Sequence, residues 1–133
     1  MSKDLHPSIL TFFQERMASH NNVTSVTDIS TEEHFLFSIE RAKNRDKITV
    51  WLSDAYLFTD ADLYAKPDTV MAGDFIIVAK PEGGFFIDHS VIEQHRIGVG
   101  MIGKFMGALN KPQMWTYLTP EEREKLARQR SVG

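Results

Sequence analysis

Asp54, Lys80, Glu82 and Lys104 each lie just beyond a short apolar run in the second half of the chain. In an open parallel sheet, ligands bind outside the carboxyl ends of the strands. A carboxylate beside an amine in such a place could hold a metal ion or act as acid and base. The simpler account is a charge where a strand meets water. A second candidate is the basic stretch that holds Arg41, Lys43, Arg45 and Lys47, with Asp46 as its one acid. It could sit on phosphates. A solvated hairpin tip would look the same, because charge there discourages edge-to-edge aggregation, and no aromatic residues interleave to make a base-stacking platform. A third is the spacing Gly98-x-Gly100-x-x-Gly103, formally that of a dinucleotide-binding turn. Its glycines lie inside an apolar run, and the acids downstream, Glu121 and Glu122, open a charged stretch, so packing glycines are the better reading. Gly83-Gly84 lacks the Lys-Ser/Thr of a phosphate loop. The five histidines are scattered and form no metal-ligand signature.

The elements that must position these residues are read from hydrophobic periodicity. Residues 7–20 form an amphipathic helix with Pro7 in its first turn and Ile9, Phe13 and Met17 along one stripe. Val23 to Ile29 alternates as a strand. Phe35, Phe37 and Ile39 point one way in the next, a polar hairpin spans Ala42 to Lys47, and Ile48, Val50 and Leu52 return. Thr59-Asp-Ala-Asp62 starts a helix that Pro67 stops. Gly73-Asp74 turns into the strand Phe75 to Ala79, and a loop runs from Lys80 to Gly84. Ser90-Val-Ile-Glu93 reads as a capping box for a short helix, Ile97 to Ile102 as a strand, and Lys104 to Leu109 as a helix. Met114 to Leu118 reads as a last strand. Thr119-Pro120-Glu-Glu122 caps a charged helix that runs to about Gln129.

Short apolar runs alternating with helical stretches imply crossovers and parallel strands. The expected fold is a three-layer α/β domain. Its mixed sheet has an antiparallel N-terminal meander leading into parallel strands with crossover helices. The 133 residues make a single domain (1–133), with residues 119–130 as a charged helix packing on it or extending from it. The apolar fraction of 42% and charged fraction of 25% fit a soluble globular class, and no run is long enough to span a bilayer. The N-terminus lacks the apolar segment of a secretory signal, and the chain has no cysteine, so a cytoplasmic setting is expected. A net charge of −3 is not that of a dedicated nucleic-acid binder, although a local basic patch stays open.

The order of helix, antiparallel strands, crossover and parallel strand resembles the restriction-endonuclease-like, PD-(D/E)xK, fold over roughly residues 7–110. The pattern lies in FSIERAKNRDKITVWLSDA followed by GDFIIVA and IGVGMIG. In that family a strand ending in Glu-x-Lys and an upstream Asp bind a divalent metal and polarise the scissile phosphate. The resemblance implies Glu40 as the acid, Asp28 as the upstream acid and Lys43 as the lysine. Ala42 occupies the lysine position, Lys43 comes one residue late, and Thr27 stands where proline is usual. A one-residue slip puts the amine on the opposite face of a strand.

The first functional expectation is therefore a non-catalytic binding or interaction domain on a nuclease-like scaffold, with a protein partner or a second copy of itself. Phe12, Met101 and Met106 would support self-association where they are exposed. It needs no cofactor. The alternatives are a metal-dependent nuclease using Asp28 and Glu40, with Lys43, on Mg²⁺, or a small-molecule or nucleotide site at the strand ends using Asp54, Lys80 and Lys104.

Overall fold

The computed structural model describes residues 4–132, with side chains described to residue 129. Helix α1 (Pro7–Ser19) leads into strands β1 (Val23–Asp28), β2 (Phe35–Arg41) and β3 (Asp46–Ser53). There follow β4 (Leu57–Thr59), α2 (Asp60–Tyr64), β5 (Phe75–Val78), β6 (Gly84–Phe86), α3 (His89–His95) and β7 (Gly98–Gly100). Helix α4 (Ile102–Ala108), a single 3-10 turn (Met114–Thr116) and α5 (Pro120–Val132) complete the chain.

The main sheet has the order β1-β2-β3-β5-β7. β1, β2 and β3 pair antiparallel, and β3, β5 and β7 pair parallel. This is the mixed α/β sheet expected. Because β3, β5 and β7 advance in one direction, right-handed crossovers place both connections on the same face. One face thus carries α1 and α4, which bury Phe13, Met17 and Phe105 against Phe37, Val50, Phe75 and Ile77. The other carries β4, α2, β6 and α3, whose Phe58, Leu63 and Ile92 pack on Trp51, Ile76, Val78 and Val99. This second cover is called the crossover layer below. Apolar residues on both faces of β3 and β5 explain why those strands read as continuous hydrophobic runs.

Several boundaries differ from expectation. β4 and β6 pair parallel as a separate two-stranded sheet, in segments read as loop and helix start. The expected strand Ile97 to Ile102 pairs only over Gly98–Gly100, because α4 starts at once. A Cβ on Gly98 would come within 2.3 Å of the Phe75 ring, and one on Gly100 within 2.4 Å of the Lys104 stem. These glycines therefore let α4 and Phe75 close on the sheet. The expected strand Met114 to Leu118 is a 3-10 turn instead: Met114 enters the α1–α4 core while Trp115 packs on the other. The cap of α3 is Asp88, which accepts the Ser90 N–H, so Ser90 lies inside the helix. That bond holds the exposed Asp88 carboxyl below its ordinary value. The capping box at α5 is as read: Glu122 accepts the Thr119 N–H and donates its own N–H to the Thr119 hydroxyl.

Candidate functional site

The two acids that the nuclease resemblance implies are held apart. In the β1–β2 ladder Asp28 faces Phe37 and Glu40 faces Ser25. They are three positions apart along the strands, about 10 Å at the usual rise. Alternation also puts them on opposite faces, since Asp28 shares the α1 side with its neighbour Phe37 while Glu40 lies on the other. One ion cannot bridge them in this arrangement. Glu40 is exposed and pairs across the strands with Lys47 at 3.7 Å. Lys43 is exposed in the hairpin, where its backbone N–H donates to Asn22 Oδ1. Among the described residues no group of three or more His, Cys, Asp or Glu is placed to hold a metal ion.

The basic hairpin divides into two parts. Arg45 sits at its tip with a positive φ of 51° and is exposed. Arg41, expected among the phosphate-binding candidates, is buried, with only 1% of its side chain accessible. Its guanidinium pairs with Asp46 at 2.5 Å and donates to the carbonyls of Lys111 and Pro112 and, at 3.4 Å, of Leu109. Two more side chains bind the same end of α4. Asn22 Nδ2 donates to the Leu109 carbonyl, and the His20 ring bonds the Met106 carbonyl at 3.0 Å. A cation at a helix C-terminus meets the orphan carbonyls there. Arg41 is thus a fastener between the first hairpin and α4. The parity of Phe35, Phe37, Ile39 and Arg41 carries this signal, since all four point to the same face.

The residues expected to converge at the strand carboxyl ends form two separate clusters. Asp54 accepts the Asp4 N–H at 2.9 Å, while the Asp4 carboxylate pairs with Lys80 at 3.4 Å. The Lys80 ammonium also lies 4.0 Å from the centre of the Tyr56 ring. Lys104, with 7% of its side chain accessible, instead pairs with Glu122 of α5 at 3.0 Å and lies over the Phe85 ring. Glu82 stands on an exposed turn. An apolar crevice of about 410 Å³ does open beyond the ends of β3 and β5, under the first turns of α1. It is lined by Ile9, Phe12, Leu52, Ile77, Met101 and Ile102 among others, and by none of Asp54, Lys80, Glu82 or Lys104. A small-molecule site needs a few convergent polar groups to fix orientation; these four do not supply them.

One buried titratable group is structural. Asp74 accepts the N–H groups of Thr49 and Met71, both at 2.8 Å, and ties the start of β5 to β3. Burial pushes its carboxyl above the ordinary aspartate value, against the pull of those two donors.

The feature that the reading of charged residues missed is apolar. Among the described residues the exposed large hydrophobic side chains are Phe12, Ile29, Tyr56, Leu57, Tyr64, Met71 and Phe86. Five of these seven, Tyr56 to Phe86, lie in the segments that build the crossover layer. Leu57 and Phe86 share the outward face of the β4–β6 sheet, on either side of Gly84, whose outer side is open space. Phe58 and Phe85 point inward. Segment 54–96, which supplies this layer and β5, holds eight Asp or Glu against three Lys or Arg, a net of −5 in a chain of −3.

Comparison of the chain with family models, with curated proteins and with solved structures finds no match. No helix among the described residues is long and apolar enough to cross a membrane. The crossover layer, acidic and studded with uncovered apolar side chains, is the candidate functional surface.

Proposed function

We propose that this chain is a non-catalytic binding domain that docks a basic protein partner on its crossover layer, on a scaffold resembling the restriction-endonuclease-like fold in its order of elements. The observation that carries the reading is the concentration of exposed apolar side chains, Phe86 at 78%, Tyr64 at 68% and Leu57 at 57%, on one acidic layer. Clustered exposed apolar surface marks interaction sites, whereas scattered single residues do not. Surplus negative charge around it steers cationic partners and repels acidic ones. The absence of cysteine suits a cytosolic setting. The nuclease alternative gains no support from the placement of Asp28, Glu40 and Lys43.

The test is capture from a lysate of the source organism by the wild-type chain and by two variants. Leu57→Asp with Tyr64→Ser alters the crossover layer, and Phe12→Asp alters the opposite cover. A protein identified by mass spectrometry as basic, released by raised salt, retained by the wild type and by the Phe12 variant and lost by the crossover-layer variant, is the expected result. If no retained protein depends on Leu57 and Tyr64, the proposal fails. Light scattering on the same samples identifies the case in which the partner is a second copy of the chain.

A further inference from the structure

The backbone of β6 shows how a partner would be held. The Gly84 N–H donates to the Tyr56 carbonyl at 2.8 Å, and the register pairs Leu57 with Gly84, Phe58 with Phe85 and Thr59 with Phe86. In a parallel ladder alternate residues of a strand bond to the same neighbour. Gly84 and Phe86 therefore turn their polar groups to β4, and Phe85 turns its N–H and C=O to the outer edge. Among the described residues no third strand pairs there, and neither group has a backbone partner. An unpaired edge of this kind is a template for another strand.

That edge opens into a cleft. A space of about 460 Å³ separates residues 85–89 from Leu118 and from Glu122, Lys125 and Leu126 of α5. Helix α5 is polar on nearly every side, with Leu126 half-buried, and its start is held by the Lys104–Glu122 ion pair. A strand edge on one side and a helix on the other form a groove of the kind used for strand addition.

We infer that this cleft receives an extended, positively charged peptide segment, which adds a strand to the free edge of β6 beneath α5. This rests on the reading of the crossover layer as the docking face and names the mode of docking. A peptide is indicated because the edge offers a main-chain donor and acceptor together with apolar walls for alternate side chains, Phe86 on one side and Leu126 on the other. Positive charge is indicated by the acidic surplus of segment 54–96, which supplies β6 and α3, while at the cleft itself Asp88 stands with Lys125, and Glu122 is paired with Lys104.

The experiment is to pan the full-length chain against a displayed library of random dodecapeptides and to titrate the most enriched peptide, fluorescently labelled, by anisotropy. Enriched sequences are expected to alternate apolar residues with Lys or Arg. Methylating every second backbone amide of that peptide is expected to weaken binding about tenfold or more in one register and little in the other, because a strand bonds through alternate residues. Leu126→Lys and, separately, Phe86→Asp are expected to weaken it to a similar degree with the circular dichroism unchanged. Equal binding of both methylated registers overturns the inference. So does binding that Tyr64→Ser weakens and neither cleft variant affects, an outcome that leaves the docking face standing. A library that yields no enriched peptide also overturns it, while the capture experiment still decides the docking face on its own.

Discussion

The two covers of the sheet are built from the same kinds of apolar residue and end in opposite conditions. On one side α1 runs 13 residues, α4 is drawn so close to β7 that Gly100 leaves no room for a Cβ beside Lys104, and the Phe75 ring fills the space above Gly98. The Phe13 ring lies 4.9 Å from Phe37, Phe105 lies 5.0 Å from Phe75, and the C-terminal carbonyls of α4 are held by His20, Asn22 and Arg41. On the other side the cover consists of strands of three residues and helices of five and seven. Such short pieces bury one or two side chains each, Phe58 and Leu63 for example, and turn the neighbouring Leu57 and Tyr64 outward. The lesson is a division of labour. The α1–α4 cover supplies stability, and the crossover layer keeps apolar area in reserve for a partner.

This contrast can be broken at four points, taken from the largest expected effect to the smallest. Phe13→Ala removes a ring from the sealed side and should lower unfolding free energy by about 3–5 kcal/mol, measured from urea transitions. A cost below about 1 kcal/mol would mean that this side is not the tightly packed one. Arg41→Ala strands the carbonyls at the end of α4 and leaves Asp46 without its cation. A loss of about 3 kcal/mol is expected, and an unchanged midpoint would remove Arg41 as a fastener.

The third point is Asp74. Its folded pKa is raised, so the native state holds the proton more tightly than the unfolded chain does. The stability linked to that proton is present at low pH and is lost as pH rises from the ordinary aspartate value through the raised one. Asp74→Asn cannot ionise, and one of its two acceptors becomes a donor, so it should cost about 1–2 kcal/mol at low pH. The gap between wild type and variant should narrow as pH rises toward neutrality. A gap that widens would reverse the sign derived from burial. Finally, Leu57→Ser and Phe86→Ser should change stability by no more than about 0.5 kcal/mol, because these side chains already face water. A cost as large as that of a core residue would show that the crossover layer is sealed after all.

The sheet was legible because its signals are local and repeated. FIIV in β5 and ITVWL in β3 are buried on both faces, and the parity of Phe35, Phe37 and Ile39 fixes one side of β2. The small sheet was not legible. LFT and GFF are too short to show a period, and their pairing depends on two crossovers lying side by side. Met114 to Leu118 has the composition of a strand, and Met114 and Trp115 enter different cores as alternating strand residues would, yet the segment closes a 3-10 turn in which the Thr116 and Tyr117 N–H groups donate to the Gln113 and Met114 carbonyls instead of to a neighbouring strand. The candidate site was hidden for a further reason. Charged residues are the ones whose types suggest chemistry, and in this fold the buried ones are spent on fastening: Arg41 on carbonyls, Asp74 on amides, Lys104 on Glu122. The surface left unspent is apolar, and the adjacent Phe85 and Phe86 were its one visible trace, since in a strand two neighbouring rings must face opposite ways.

Arg41 also bears on the order in which the molecule can be made. Asp46 of its own hairpin takes two of its hydrogen bonds, and the carbonyls that accept the others come from Leu109, Lys111 and Pro112, about 70 residues further along the chain. A guanidinium cannot shed its charge to enter a dry interior. During synthesis the inner end of the first hairpin, with Arg41 paired to Asp46, therefore stays hydrated until residue 112 has left the ribosome. Nascent chains cut short before Leu109 leave Arg41 without its carbonyl acceptors, so sealing of the early hairpin is tied to arrival of the late segment.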